Sequence, residues 1–85
     1  MKNISSVKIP LRVVKKEENF QIFNTKTFET IELDSLSMEI FNKIRVKEIT
    51  NDKELESYAE DNNIEIEDCI GLVEFLSDNK YISIS

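Results

Sequence analysis

The stretch Phe20–Ile44, FQIFNTKTFETIELDSLSMEIFNKI, leaves the chain little choice of fold. Phe20-Gln21-Ile22-Phe23 is a short apolar, aromatic-rich run, and Asn24-Thr25-Lys26 has the composition of a turn. Thr27 to Leu33 then alternates with β-branched and aromatic residues, the pattern of a second strand. Asp34 or Ser35 offers the short side-chain oxygen that accepts from the orphan amides of a first helical turn. Leu36, Ile40 and Ile44 follow at helical spacing, and Met38 and Phe41 widen the apolar stripe. Hairpin and helix are joined almost without a linker, so a stiff junction is expected.

Upstream, Val7 to Val14 alternates, with Ile9, Leu11 and Val13 on one face and Lys8, Pro10 and Arg12 on the other. Pro10 lacks an amide donor and places this strand at an edge. Lys15–Asn19 is a charged turn. Short connections favour an antiparallel meander, which leaves the third strand, Thr27–Leu33, with one edge unpaired. Residues 1–6 are polar and expected to be frayed, and residues 7–85 to form a single domain. Asp52–Asn62 predicts a second helix with Leu55, Tyr58 and Ala59 on its apolar side. A third opens at Glu67 or Asp68 and runs to about Asn79, and Tyr81–Ile84 is an extended tail packing beside the sheet. The order βββααα predicts an α+β, winged-helix-like architecture: a three-stranded antiparallel sheet followed by three helices.

Composition removes several functions. The 85 residues suffice for one modest core, burying roughly 60–65% of the unfolded surface. With no histidine and one cysteine, no Ser-His or Cys-His relay and no ordinary zinc site is available, so neither catalysis nor a cofactor is expected. Cys69 falls on the core face of the third helix and reads as an inert thiol. The acids between Asp52 and Asp68 lack the spacing of a calcium loop and read as a solvated helix face. A lone cysteine and the lack of a long apolar run point to a cytoplasmic protein with no membrane partner. A winged-helix DNA-binding regulator has this size and mixture of elements, but a net charge of −6 has the wrong sign for neutralising phosphates. The one basic patch is Lys2, Lys8, Arg12, Lys15 and Lys16, suited to an acidic leader or partner. Asp34-Ser35-Leu36 copies the motif on which acyl or peptidyl carrier proteins bear phosphopantetheine, with Ser35 as the attachment point. Carriers have a helix before that motif, whereas here the preceding segments alternate like strands.

Two places carry more apolar or unpaired surface than a small domain needs. On the third helix Cys69, Val73, Leu76 and the stem of Lys80 line the core face, while Leu72 and Phe75, with Asp68 and Asn79 beside them, lie to one side. That pair either widens the core or walls a groove. On the third strand Ile31 and Leu33 share one face, and Phe28, Thr30 and Glu32 the other. Its free edge is a template for an added strand, unless Glu29 and Glu32 are charges that discourage pairing.

From Ile9 to Ile82 the sequence resembles the PqqD-like family, the leader-peptide recognition domains (RiPP recognition elements) of pathways that modify ribosomally made peptides. The matching stretches are IFNTKTFETIEL, DSLSMEIFNKI, ITNDKELESYAED and IEIEDCIGLVEFLSDNKYI. Leu33-Asp34 stands for the usual Leu-Asn, no glycine follows the first helix, and Lys80 replaces the common glycine before the tail. The resemblance implies a sheet packed on three helices that binds a precursor's leader as an added strand, in a cleft against the third helix. The main-chain strip it implies is Thr27, Phe28, Glu29, Thr30, Ile31 and Glu32, and the cleft wall Asp68, Leu72, Phe75, Leu76 and Asn79. It further implies a partner such as a radical SAM enzyme, cyclase, dehydratase or leader protease, to which the bound peptide is presented in chaperone-like fashion.

Overall fold

A computed structural model describes residues 2–85 and orders them as β1 (Ile4–Ser6), β2 (Leu11–Lys16), β3 (Asn19–Asn24), β4 (Thr30–Asp34), α1 (Ser35–Arg45), α2 (Asp52–Asp61), α3 (Ile66–Asp78) and β5 (Ile82–Ile84). The class is α+β: a three-stranded antiparallel sheet, β2-β3-β4, is followed by three helices, and β1 and β5 add a separate two-stranded sheet.

The first hairpin turns more tightly than the charged run suggests. Lys16 pairs with Asn19, leaving only Glu17 and Glu18 in the turn, with Glu17 at φ 58°. β2 begins at Leu11 rather than Val7, because its partner ends at Asn24, opposite Leu11. Val7 instead donates its N–H to the Tyr81 carbonyl at 3.0 Å.

The second hairpin departs from expectation for a reason located in one side chain. Asn24 is buried, and its carboxamide oxygen accepts from the N–H groups of Lys26 (2.9 Å) and Thr27 (3.2 Å). Its carbonyl accepts from Phe28 N–H at 2.7 Å, and its N–H donates to the Glu29 carbonyl at 2.9 Å. Thr27, Phe28 and Glu29 are thus held in the connection, with Phe28 at φ 63°, and the third strand of the meander starts at Thr30. An Asx side chain has outcompeted a strand-like alternation.

The pleat sends Ile22, Ile31 and Leu33 onto Met38, Ile40, Phe41 and Ile44 of α1, while Arg12, Val14, Phe23, Thr30 and Glu32 face outward. Asp34 caps α1, its carboxylate accepting from Ser37 N–H at 2.7 Å. Ser35 is the first helical residue and donates its hydroxyl to the Glu18 carbonyl at 3.0 Å. Asn51 caps α2 by accepting from Glu54 N–H at 2.8 Å. Leu55 and Ala59 of α2, and Cys69, Val73 and Leu76 of α3, complete the helical side of the core.

Two terminal expectations are corrected. The segment expected to fray contains β1, which pairs antiparallel with β5 in the register Ile4–Ile84, Ser5–Ser83, Ser6–Ile82. Ile4 is buried, and its N–H donates to the Thr50 carbonyl at 2.8 Å. The tail therefore pairs with the N-terminal strand and not with the three-stranded sheet. Lys80 is exposed at φ 64° rather than lining the core; Tyr81 is buried in that place, edge-on to Phe41 at 6.1 Å. Among the described residues no helix is long and apolar enough to cross a membrane.

Candidate functional site

β4 is an edge strand, with β3 on one side and no strand on the other. The Asn24 N–H to Glu29 carbonyl bond fixes the phase of the ladder. Pairs two residues further on, Ile22–Ile31 and Phe20–Leu33, exchange the bonds between β3 and β4. Thr30 and Glu32 consequently turn their N–H and C=O groups to the open side. Their side chains lie on the outer face, where Glu32 accepts from Asn19 Nδ2 at 2.8 Å. The edge is short and carries unsatisfied backbone polarity directly above the core residues Ile31 and Leu33.

α3 supplies a facing wall. Beside its buried stripe lie half-buried Leu72 and Asn79, with Asp68 and Phe75 further out; Phe75 is 42% exposed. A cleft of about 390 Å³ opens between the start of α1 and the first half of α3, with Asp34, Leu36, Ser37, Ile40, Ile64, Glu67, Asp68, Gly71 and Leu72 among its lining residues. Past the end of α3, the pKa of the buried Tyr81 phenol is raised by burial, with the charge of Glu29 adding to the effect. The end of β4 at Asp34 and the first half of α3 thus line one cleft.

Of the residues expected in the main-chain strip, Thr30, Ile31 and Glu32 form the edge strand, and Thr27, Phe28 and Glu29 belong to the preceding connection. Phe28 is 77% exposed, the barest large apolar side chain at this end. Of the expected wall, Asp68 and Leu72 line the cleft, and Phe75 and Asn79 continue the same side of α3 beyond it. Leu76 does not reach it: at 0% exposure it is core, and supports the wall from behind. Asn79 Nδ2 donates to the Phe75 carbonyl at 2.8 Å and closes the end of the helix.

Of the residues lining this cleft only Asp68 and Leu72 were expected there, and three of the others are informative. Leu36 has the spacing of the core stripe but sits in the first turn of α1, past the sheet, and is 42% exposed. Asp34 reads in the sequence only as a cap. Gly71 is the one glycine of the chain, in the middle of α3, and a β-carbon there would meet nothing within 4 Å. The fold does not require glycine at this position, and a glycine in a helix interior costs about 1 kcal/mol against alanine. A lone glycine inside an otherwise regular helical pattern was the available signal.

Burial raises the pKa of the Cys69 thiol, with the Asp68 charge adding to the effect, so the thiolate is disfavoured at neutral pH. Among the described residues no group of three or more His, Cys, Asp or Glu side chains is placed to hold a metal ion. The segment before Asp34-Ser35-Leu36 is sheet, where a carrier protein has a helix. Lys15, Lys16 and Arg12 stand on β2, across the sheet from the β4 edge. The chain matches no protein-family model, no curated protein and no solved structure in comparisons with each.

Proposed function

We propose that the chain is a non-catalytic recognition module of the PqqD-like, winged-helix-like kind, which binds the leader of a ribosomally made precursor peptide by strand addition. The observation that carries this reading is the free edge of β4, whose last residue, Asp34, lines a cleft together with Leu36 of α1 and Leu72 of α3. An extended peptide satisfies the outward groups of Thr30 and Glu32 through its own backbone, and places alternate side chains against Leu72 and Phe75. Two departures from the family pattern also lose their force. Lys47, after α1, and Lys80, after α3, both have positive φ (64° each), the conformation that glycine adopts freely. The backbone there keeps the shape expected where the family carries glycine.

The module does no bond chemistry. It holds the leader while the core peptide reaches the active site of a radical SAM enzyme, cyclase, dehydratase or leader protease, raising the local concentration of substrate there. The direct test is titration of a fluorescent leader peptide, taken from a short reading frame beside this gene, into the purified protein. Saturable binding that a proline within the paired segment abolishes is the expected result. Leu72→Glu and Phe75→Ala should each weaken binding by about tenfold or more with an unchanged circular dichroism spectrum. Unchanged affinity in both removes α3 from the site. Absence of binding, together with a mass gain on Ser35 after incubation with a phosphopantetheinyl transferase, replaces this reading by a carrier protein.

A further inference from the structure

The groove beside β4 has a chemistry that narrows what it accepts. Asp34, Glu67 and Asp68 line its cleft with Leu36, Gly71 and Leu72, and no Lys or Arg is among the lining residues. The two leucines come from different helices and are both partly uncovered, Leu36 although Ile40 and Ile44 of its row are core, and Leu72 on the outer side of α3. Gly71 leaves bare helix backbone in the cleft wall, facing space that the fold itself does not fill. Bare backbone is where a bulky ligand group approaches a helix closely.

Each carboxylate also has a local role, Asp34 as the cap of α1, and Glu67 and Asp68 in the first turn of α3. Those roles explain their stability value. They do not explain why three acids and no base surround an open apolar cleft. A strand entering along β4 brings its flanking side chains within reach of these carboxylates, and complementary charge there sets both partner choice and encounter rate. We infer that the segment accepted by this groove is cationic, seating one bulky apolar side chain between Leu36 and Leu72 over Gly71, with Lys or Arg on either side meeting Asp34, Glu67 and Asp68. This inference rests on the strand-addition reading.

The test uses two fluorescein-labelled synthetic peptides of equal length, alternating in pattern around a central Phe, one with Lys and one with Glu at the flanking positions. Each is titrated against the full 85-residue chain at physiological ionic strength. The Lys peptide should bind about tenfold or more tightly than the Glu peptide, the scale of a few added charge pairs. The triple variant Asp34→Asn, Glu67→Gln, Asp68→Asn should abolish that preference; asparagine keeps the cap of α1. The variant Glu56→Gln, Glu60→Gln, Asp61→Asn on exposed α2 changes net charge equally and should retain it. Gly71→Ala should weaken the Lys peptide several-fold while raising the thermal midpoint. Equal or tighter binding of the Glu peptide, still abolished by a proline in the peptide, overturns the cationic assignment and leaves strand addition standing. Lys-peptide binding that the α2 variant reduces as much as the groove variant is general attraction to an acidic protein, and overturns the inference. No saturable binding of either peptide overturns it together with the strand-addition reading.

Discussion

At the scale of single residues, local competition for hydrogen bonds decided what periodicity could not. The alternation Thr27–Leu33 reads as one strand, yet the Asn24 carboxamide captures the amides of Lys26 and Thr27 and delays the strand to Thr30. Alternation is blind to such a side chain. The consequence falls on Phe28, an exposed aromatic in the left-handed region at φ 63°. That conformation costs a non-glycine residue about 1–2 kcal/mol, part of which glycine would return in greater unfolded-state entropy. Phe28→Gly should therefore leave stability level or raise it by up to about 1 kcal/mol in urea denaturation, while peptide affinity falls. Loss of stability instead would mean that the ring packs on the domain and is not free to meet a ligand. Leu76 and Leu72 make the converse pair. Leu76→Ala empties a fully buried site and should cost about 2–5 kcal/mol, whereas Leu72→Glu, at the groove, should act chiefly on binding. Substitutions four residues apart on one helix thus separate core from site.

At the scale of elements, the helices were legible and the short strands were not. α1, α2 and α3 have apolar rows that declare themselves over ten or more residues each, and α1 and α2 have side-chain caps besides. β1 and β5 are three residues long, ISS and ISI, too short for any period to register. They exist only because Ile4 meets Ile84 across almost the whole chain. That pairing makes residues 2–6 part of the fold. Removing them takes Ile4 from the core, uncovers Ile82 and leaves β5 without its partner, so the urea midpoint should drop by an amount equivalent to about 2–4 kcal/mol. An unchanged midpoint would return this segment to the frayed state that its composition suggests. The groove was half legible for a related reason. The surplus apolar pair on α3 and the unpaired third strand are local patterns, but the cleft that joins them needs Leu36 from α1, and only the tertiary packing turns that residue outward.

At the scale of the whole molecule, the lack of histidine and the burial of three weak acids fix the response to pH. No side chain of this chain ordinarily titrates between about pH 5 and 8, so stability should be level across neutrality. Above that, burial is the leading cause that raises the pKa of Cys69, Tyr58 and Tyr81 in the folded state. A raised folded pKa means that the folded protein holds protons which the unfolded chain has released. The contribution is complete below the unfolded values, about 8.5 for cysteine and 10 for tyrosine, and is lost as pH rises through the folded ones. The urea midpoint should accordingly hold from about pH 6 to 8 and decline above about 9. Tyr81 is the place to test the effect, because its hydroxyl, like that of Tyr58, is buried with no hydrogen-bond partner among the described residues. Tyr81→Phe removes an orphan donor while preserving the edge contact with Phe41. It should cost no stability at about pH 7, and improve it by as much as the 1–3 kcal/mol that an unsatisfied buried group costs. It should also shift the alkaline decline upward, since one of the three titrations is gone. Destabilisation by Tyr81→Phe at neutral pH would show instead that the hydroxyl is satisfied in solution.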